Sequence, residues 1–212
     1  TVNDYVNEVK TLLDNSRSQT EMENKMIKDK LYVLAHDPTK TYVPPTMKGT
    51  VPFLNFSDLE NTMIQLKNAS EEFQKIYSNG LQMPVEKQNE LNMLLYKAER
   101  SLIDPEGLPR RPWYKHEIYA PGYYTGYGVK TLPGIREAIE QRNWKEAQDN
   151  IEIVSKVLQA YNTQVQDASD LVKKNAEKKS FLNCGFIVLV RATAGRVTGI
   201  IEEYRKFRSR SL

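Results

Sequence analysis

A chain of 212 residues with 40% apolar side chains can bury one sizeable core without staples. Its single cysteine, Cys184, excludes an internal disulfide framework and a cysteine-built zinc site from this chain alone. The formal charge of +3 is uneven: 173–212 is net +7 and the body before it net −4, so the body has no basic footprint for nucleic acid.

The opening TVNDYVNEVK lacks the basic and apolar regions of a signal peptide, and the longest apolar run, Phe186 to Val190, is too short to span a bilayer. The chain starts without Met, directly in a helical pattern, which suggests a piece excised from a longer polypeptide. Tyr5, Val6, Val9, Leu12 and Leu13 recur at helical spacing, and the pattern resumes at Met22, Met26 and Ile27 before Leu31 to Leu34. Asp37-Pro38 stops it. The proline-rich TYVPPTMKGTVPFLNF that follows is expected to run along the bundle surface.

Ser57-Asp-Leu-Glu60 reads as a capping box opening a helix with the stripe Leu59, Met63, Leu66, Phe73 and Tyr77. Asn79-Gly80 is its expected left-handed stop. Pro84 suits the first turn of the next helix, whose stripe is Leu91, Leu94, Leu95, Ala98 and Leu102. After Asp104-Pro105 comes GLPRRPWYKHEIYAPGYYTGYGVKTLPGI, with four of the ten prolines, five of the ten glycines and five of the twelve tyrosines. Pro133 can start a short helix, and a long near-heptad stripe runs from Trp144 through Ile151, Val154 and Leu158 to Leu171. These elements predict an all-α, up-and-down bundle with a long irregular Pro/Gly/Tyr-rich loop before the last long helix.

Chemistry is sparse. The only histidines, His36 and His116, are far apart and lack a metal-ligand spacing, so no zinc site is expected within the chain. His116, among rings in WYKHEIY, reads as a loop-packing residue together with Tyr119, Tyr123 and Tyr124. His36 reads as a partner of a helix C-terminus. No G-x-S-x-G occurs, and GYYTGYG does not precede the Gly-Lys-Ser/Thr of a phosphate loop. Cys184, beside apolar residues, reads as a buried inert thiol.

The segment ERSLIDPEGLPRRPWYKHEIYAPGYYTGYGVKTLPGIREAIE strongly resembles the transferrin-receptor-like dimerisation domain of the glutamate carboxypeptidase II and transferrin receptor family. The resemblance rests on Asp104-Pro105, Gly107-Leu108-Pro109, Arg111-Pro112, Tyr114, His116, Ile118 to Pro121 and Pro133-Gly134-Ile135. YVPP and VPFLNF resemble the bacterial zinc peptidases of that family. The resemblance implies a helical homodimerisation domain over 1–174, followed by a basic tail at 175–212. It places zinc and catalysis in an upstream protease domain of the same polypeptide, and implies a parent that is secreted, periplasmic or membrane-anchored. In the carboxypeptidases this loop reaches the substrate cleft, where a Lys-Tyr pair holds a glutamate-like side chain. Here the Tyr is kept as Tyr127, Gly126 stands where the Lys would be, and Lys130 is the nearby substitute.

The expected reading is thus a non-catalytic homodimerisation domain that lends the 123–130 loop to a parental hydrolase. Its interface candidates are Ile135, Ile139, Trp144, Ile151, Val154 and Leu158. Neither nucleic acid nor membrane is expected as a partner of this chain. The alternative from another class is a helical scaffold binding nucleic acid or anionic membrane through Arg205, Lys206, Arg208 and Arg210.

Overall fold

The computed structural model describes residues 2–78, 83–126 and 128–175. The stop at Asn79-Gly80, the loop residue Tyr127, and the readings placed on Cys184 and on the basic tail lie outside the described residues.

The helices are α1 (Val2–Lys28), α2 (Leu31–Ala35), α3 (Ser57–Ser78), α4 (Val85–Ala98), α5 (Pro133–Glu140) and α6 (144–175). A 3-10 turn, Glu99–Leu102, extends α4, and two short strands, β1 (Tyr119–Pro121) and β2 (Val129–Thr131), precede α5. The all-α expectation holds for the body. The loop is less irregular than its composition suggests, because β1 and β2 pair as an antiparallel hairpin, Tyr119 with Thr131, Ala120 with Lys130 and Pro121 with Val129. Strands of three residues are too short to show a period-two pattern, which is why glycine and proline dominated the sequence signal.

One core joins most of the elements. Val6, Val9 and Leu13 of α1 meet Leu54 and Phe56 of the proline-rich loop, Leu59 and Leu66 of α3, Ile135 and Ile139 of α5, and Ile151, Val154 and Leu158 of α6. A second, smaller cluster is built from Met83 and Leu91 with Ala168 and Val172, flanked by Phe73 and Ile76. Only the first half of α1 gives apolar residues to the core: beyond Leu13 the buried residue is Thr20, Met22 is exposed, and none of α2 is buried. On α3 and α4 the expected stripes lose Tyr77 and Leu95 to the surface.

The ends of the helices correct the capping expectation. The Ser57 amide donates to Asn55 Oδ1 at 3.0 Å, while the Glu60 carboxylate is taken by Lys10 of α1. A reciprocal arrangement occurs instead at α6, where Asn143 Oδ1 accepts from the Glu146 amide at 3.3 Å and Asn143 Nδ2 donates to the Glu146 carboxylate at 2.9 Å. His36 Nδ1 lies 2.7 Å from the Val33 carbonyl, at the C-terminus of α2.

The proline-rich loop is stitched to the bundle through its backbone. Lys48 exchanges two 2.8 Å bonds with the Asn24 side chain, Arg142 donates to the Gly49 carbonyl at 2.6 Å, and the Asn55 amide donates to Gln148 at 2.8 Å. Prolines cannot satisfy one another by pairing, so side chains from α1, from α6 and from the turn between α5 and α6 supply the partners.

Candidate functional site

The tyrosine-rich segment is a hairpin on a folded base. The base is a clasp in which the Asp104 amide donates to the Lys115 carbonyl at 2.8 Å and the Glu117 amide to the Leu102 carbonyl at 3.0 Å. Between these two rungs the chain turns back sharply through Gly107, whose φ is +72°. A Cβ there would stand 2.3 Å from the Pro112 carbonyl oxygen, so only glycine fits. The Leu108 amide then donates to the Tyr114 carbonyl at 2.8 Å, and Arg110 forks onto Glu146 of α6 at 2.9 and 3.0 Å.

A buried ion pair fixes the hairpin above that base. Arg111 and Glu137, 5% and 2% exposed, meet through one guanidinium nitrogen at 3.0 and 3.1 Å. The other terminal nitrogen of Arg111 donates to the Pro121 carbonyl at 2.6 Å, and Glu137 accepts from the Tyr123 amide at 2.8 Å. One pair thus ties the 108–111 turn, the end of β1, the hairpin tip and α5 together. A single charge left without its partner here would cost several kcal/mol, so the four pieces are held jointly.

The tip itself turns on glycines. Gly122 donates to the Gly128 carbonyl and Gly126 to the Gly122 carbonyl, both at 2.9 Å, with Gly126 at φ +66°. Tyr123 lies edge-on to Tyr124 at 4.8 Å and under the guanidinium groups of Arg110 and Arg111. Tyr124 and Trp113 remain largely in solvent, 64% and 75% exposed. Lys130, on β2, is not free: it pairs with Glu140 of α5.

His116 packs 4.1 Å from the Tyr119 ring. Its Nδ1 accepts from the amides of Ile118 and Tyr119 at 3.3 and 3.4 Å, which leaves Nε2 to carry the proton of the neutral ring. Burial holds its pKa below the usual histidine value, opposed by the nearby Glu99 carboxylate. Tyr119 donates to that same carboxylate at 2.8 Å.

Glu117, which the sequence reading did not single out, is 1% exposed, and its Oε2 has no hydrogen-bond partner. Burial pushes its carboxyl up to about 7, reinforced by the charge of Asp104 and opposed by Arg111. Glu117 precedes Ile118, and strand alternation would put one of them in solvent. Both are buried because they lie in the bend between the clasp and β1, where strand alternation does not apply.

Of the expected interface residues, Ile135, Ile139, Ile151, Val154 and Leu158 are at most 1% exposed within the single chain. This corrects their placement: they face the chain's own core, because a stripe that closes a bundle has no area left for a second copy. Trp144 is half-buried beneath Arg142, whose guanidinium lies 5.2 Å from the ring. Tyr127 falls outside the described residues. Among the described residues no group of three His, Cys, Asp or Glu side chains is placed to hold a metal, and no helix is long and apolar enough to cross a membrane.

Residues 54–166 match the transferrin receptor-like dimerisation domain family. A probable glutamate carboxypeptidase of Arabidopsis thaliana is 43% identical over 79 residues, 34% of this chain and 12% of that protein. A probable glutamate carboxypeptidase of Arthroderma benhamiae is 37% identical over 68 residues, 32% of this chain and 9% of the relative. An inactive zinc metalloprotease of Schizosaccharomyces pombe is 28% identical over 117 residues, 53% of this chain and 15% of the relative. The chain therefore spans only a small fraction of the length of these relatives. With the family match covering more than half of its residues, the chain belongs to the transferrin receptor-like dimerisation domain family.

Proposed function

We propose that this chain is the homodimerisation portion of a glutamate carboxypeptidase-like zinc metallopeptidase, non-catalytic by itself, and that its 123–130 loop lines the parent's substrate cleft. The observation that carries the loop assignment is the contrast at the hairpin. Arg111 and Glu137 are buried to fix its position, while the Tyr124 ring at the tip, like Trp113 on the base beneath it, stays in water. Rigid aromatic side chains presented from a fixed base are suited to meet a surface that the isolated chain lacks. In this reading zinc belongs to the upstream protease domain, and the described residues offer no ligand set for it.

Recognition at the tip then rests on rings and backbone. Gly126 stands where a carboxylate-binding lysine would be, and the Lys130 ammonium is engaged by Glu140. A C-terminal glutamate side chain therefore lacks its point-charge partner.

For the dimer, the stripe of α6 is already used by the core, and the outward face of α4 takes its place. That helix buries only Leu91 and Ala98 and leaves Val85, Met93, Leu95 and Tyr96 exposed. A second copy of the chain is the occupant, as the family's dimerisation role supports, and aromatic anchors carry much of such an interface.

Sedimentation velocity on the chain tests the dimer, and Tyr96→Lys tests the surface. A dimer that Tyr96→Lys leaves intact refutes the α4 surface alone, whereas a wild-type monomer refutes dimerisation by this chain. In the parent enzyme, Tyr124→Ala is expected to lower kcat/KM about tenfold through KM, equivalent to ~1.4 kcal/mol. Unchanged kinetics would remove the loop from the cleft.

A further inference from the structure

The clasp beneath the hairpin contains a buried carboxylic acid whose inner oxygen no group hydrogen-bonds. Glu117 is 1% exposed, its Oε2 is buried and unpartnered, and so is the neighbouring Arg111 Nε. The groups that act on it are Asp104, across the clasp, and Arg111, from the 108–111 turn. Arg111 is itself committed to Glu137 of α5 and to the Pro121 carbonyl. Glu117 thus lies between a like charge and a cation whose terminal nitrogens are already occupied.

We propose that Glu117 is a proton-operated latch: protonated, it lets the clasp 102–117 close on Arg111, and on losing its proton it loosens the clasp and the hairpin tip that Arg111 anchors.

The chemistry follows from burial. A neutral carboxyl tolerates the site, whereas the carboxylate must remain there beside Asp104 without a hydrogen bond or escape to water. Escape breaks the rung from the Glu117 amide to the Leu102 carbonyl, and the adjoining turn carries Arg111. The direction is set because the folded-state carboxyl binds its proton more tightly than the usual 4.5, with an elevated value of about 7. The closed form therefore binds the extra proton and is favoured at low pH. This inference stands whatever surface the tip meets, so it does not depend on the peptidase reading.

The test is residue-resolved NMR on the whole chain. Carboxyl carbon shifts give the titration of Glu117, and amide exchange, corrected for intrinsic rates, gives the protection of Ala120 and Lys130. Between pH 5.5 and 8.5 the protection is expected to fall on the order of thirtyfold, the ratio that linkage gives for these two proton affinities. Glu117→Gln should abolish the fall, and Asp104→Asn should move its midpoint to lower pH. A Glu117 carboxyl titrating near 4.5 would overturn the latch. So would a wild-type hairpin equally protected across the range, or a fall that Glu117→Gln leaves in place. If Glu117→Gln does not fold, the wild-type titration and the direction of the Asp104→Asn shift decide the matter by themselves.

Discussion

The Arg111–Glu137 pair should be strongly coupled, so that removing both partners costs much less than the two single removals added together. In Glu137→Leu, Arg111 keeps its charge at 5% exposure and retains only the Pro121 carbonyl as a firm acceptor. In Arg111→Met, Glu137 keeps its charge at 2% exposure with the Tyr123 amide as its remaining donor. Leaving one buried charge uncompensated costs about 3–5 kcal/mol, so each single variant should lose that much. The double variant Arg111→Met/Glu137→Leu has no stranded charge, but it leaves the Pro121 carbonyl and the Tyr123 amide without partners. That residual penalty is about 1–3 kcal/mol for each of the two groups, so the double variant should lose clearly less than the two single losses together. Urea unfolding followed by circular dichroism, at one fixed protein concentration because association adds to apparent stability, measures all four proteins. Single losses below ~1 kcal/mol, or a double variant whose loss equals the sum of the singles, would refute the view that this pair is the shared anchor.

Three other expectations can be checked on the same material. Because the Glu117 carboxyl is raised from 4.5 to about 7 in the folded chain, its contribution to stability is greatest at low pH. It declines through the window between those two values, by about 3 kcal/mol in total. Unfolding across that window should show the decline in the wild type and not in Glu117→Gln, and a rise of Glu117's contribution with pH would contradict it. Gly134→Ala places a methyl group 2.1 Å from Asn150 Oδ1, which should cost about 1–3 kcal/mol. Adding Asn150→Ala should recover part of that loss, and an unaffected single variant would show that α5 and α6 are not so closely seated. Gly107→Ala should be worse tolerated than Gly49→Ala, since the first meets the Pro112 backbone and the second meets nothing within 4 Å. Equal midpoints for the two would refute the turn argument.

The helices and the identity of the loop were legible in the sequence because both signals are local. Val6, Val9 and Leu13 announce their own buried face, and Pro133 announces the start of α5. What could not be read is whatever depends on partners distant in the chain. Arg111 meets Glu137 across 26 residues, and an isolated Arg or Glu at either position looks like ordinary surface charge. The Asn143 and Glu146 capping pair lacks the Ser or Thr that marks the usual motif. The long stripe of α6 was read correctly as apolar, but periodicity alone cannot say whether it faces another helix of the same chain or a second copy. Burial of Ile151, Val154 and Leu158 inside one chain answers that. Glu117 escaped notice because its environment is created by the clasp, which no short-range pattern encodes.

Sedimentation equilibrium over a wide concentration range shows whether this chain is a module that pairs two subunits. The expected mass is twice that of the 24.5 kDa chain, with reversible dissociation on dilution. A single 24.5 kDa species at every concentration would contradict it.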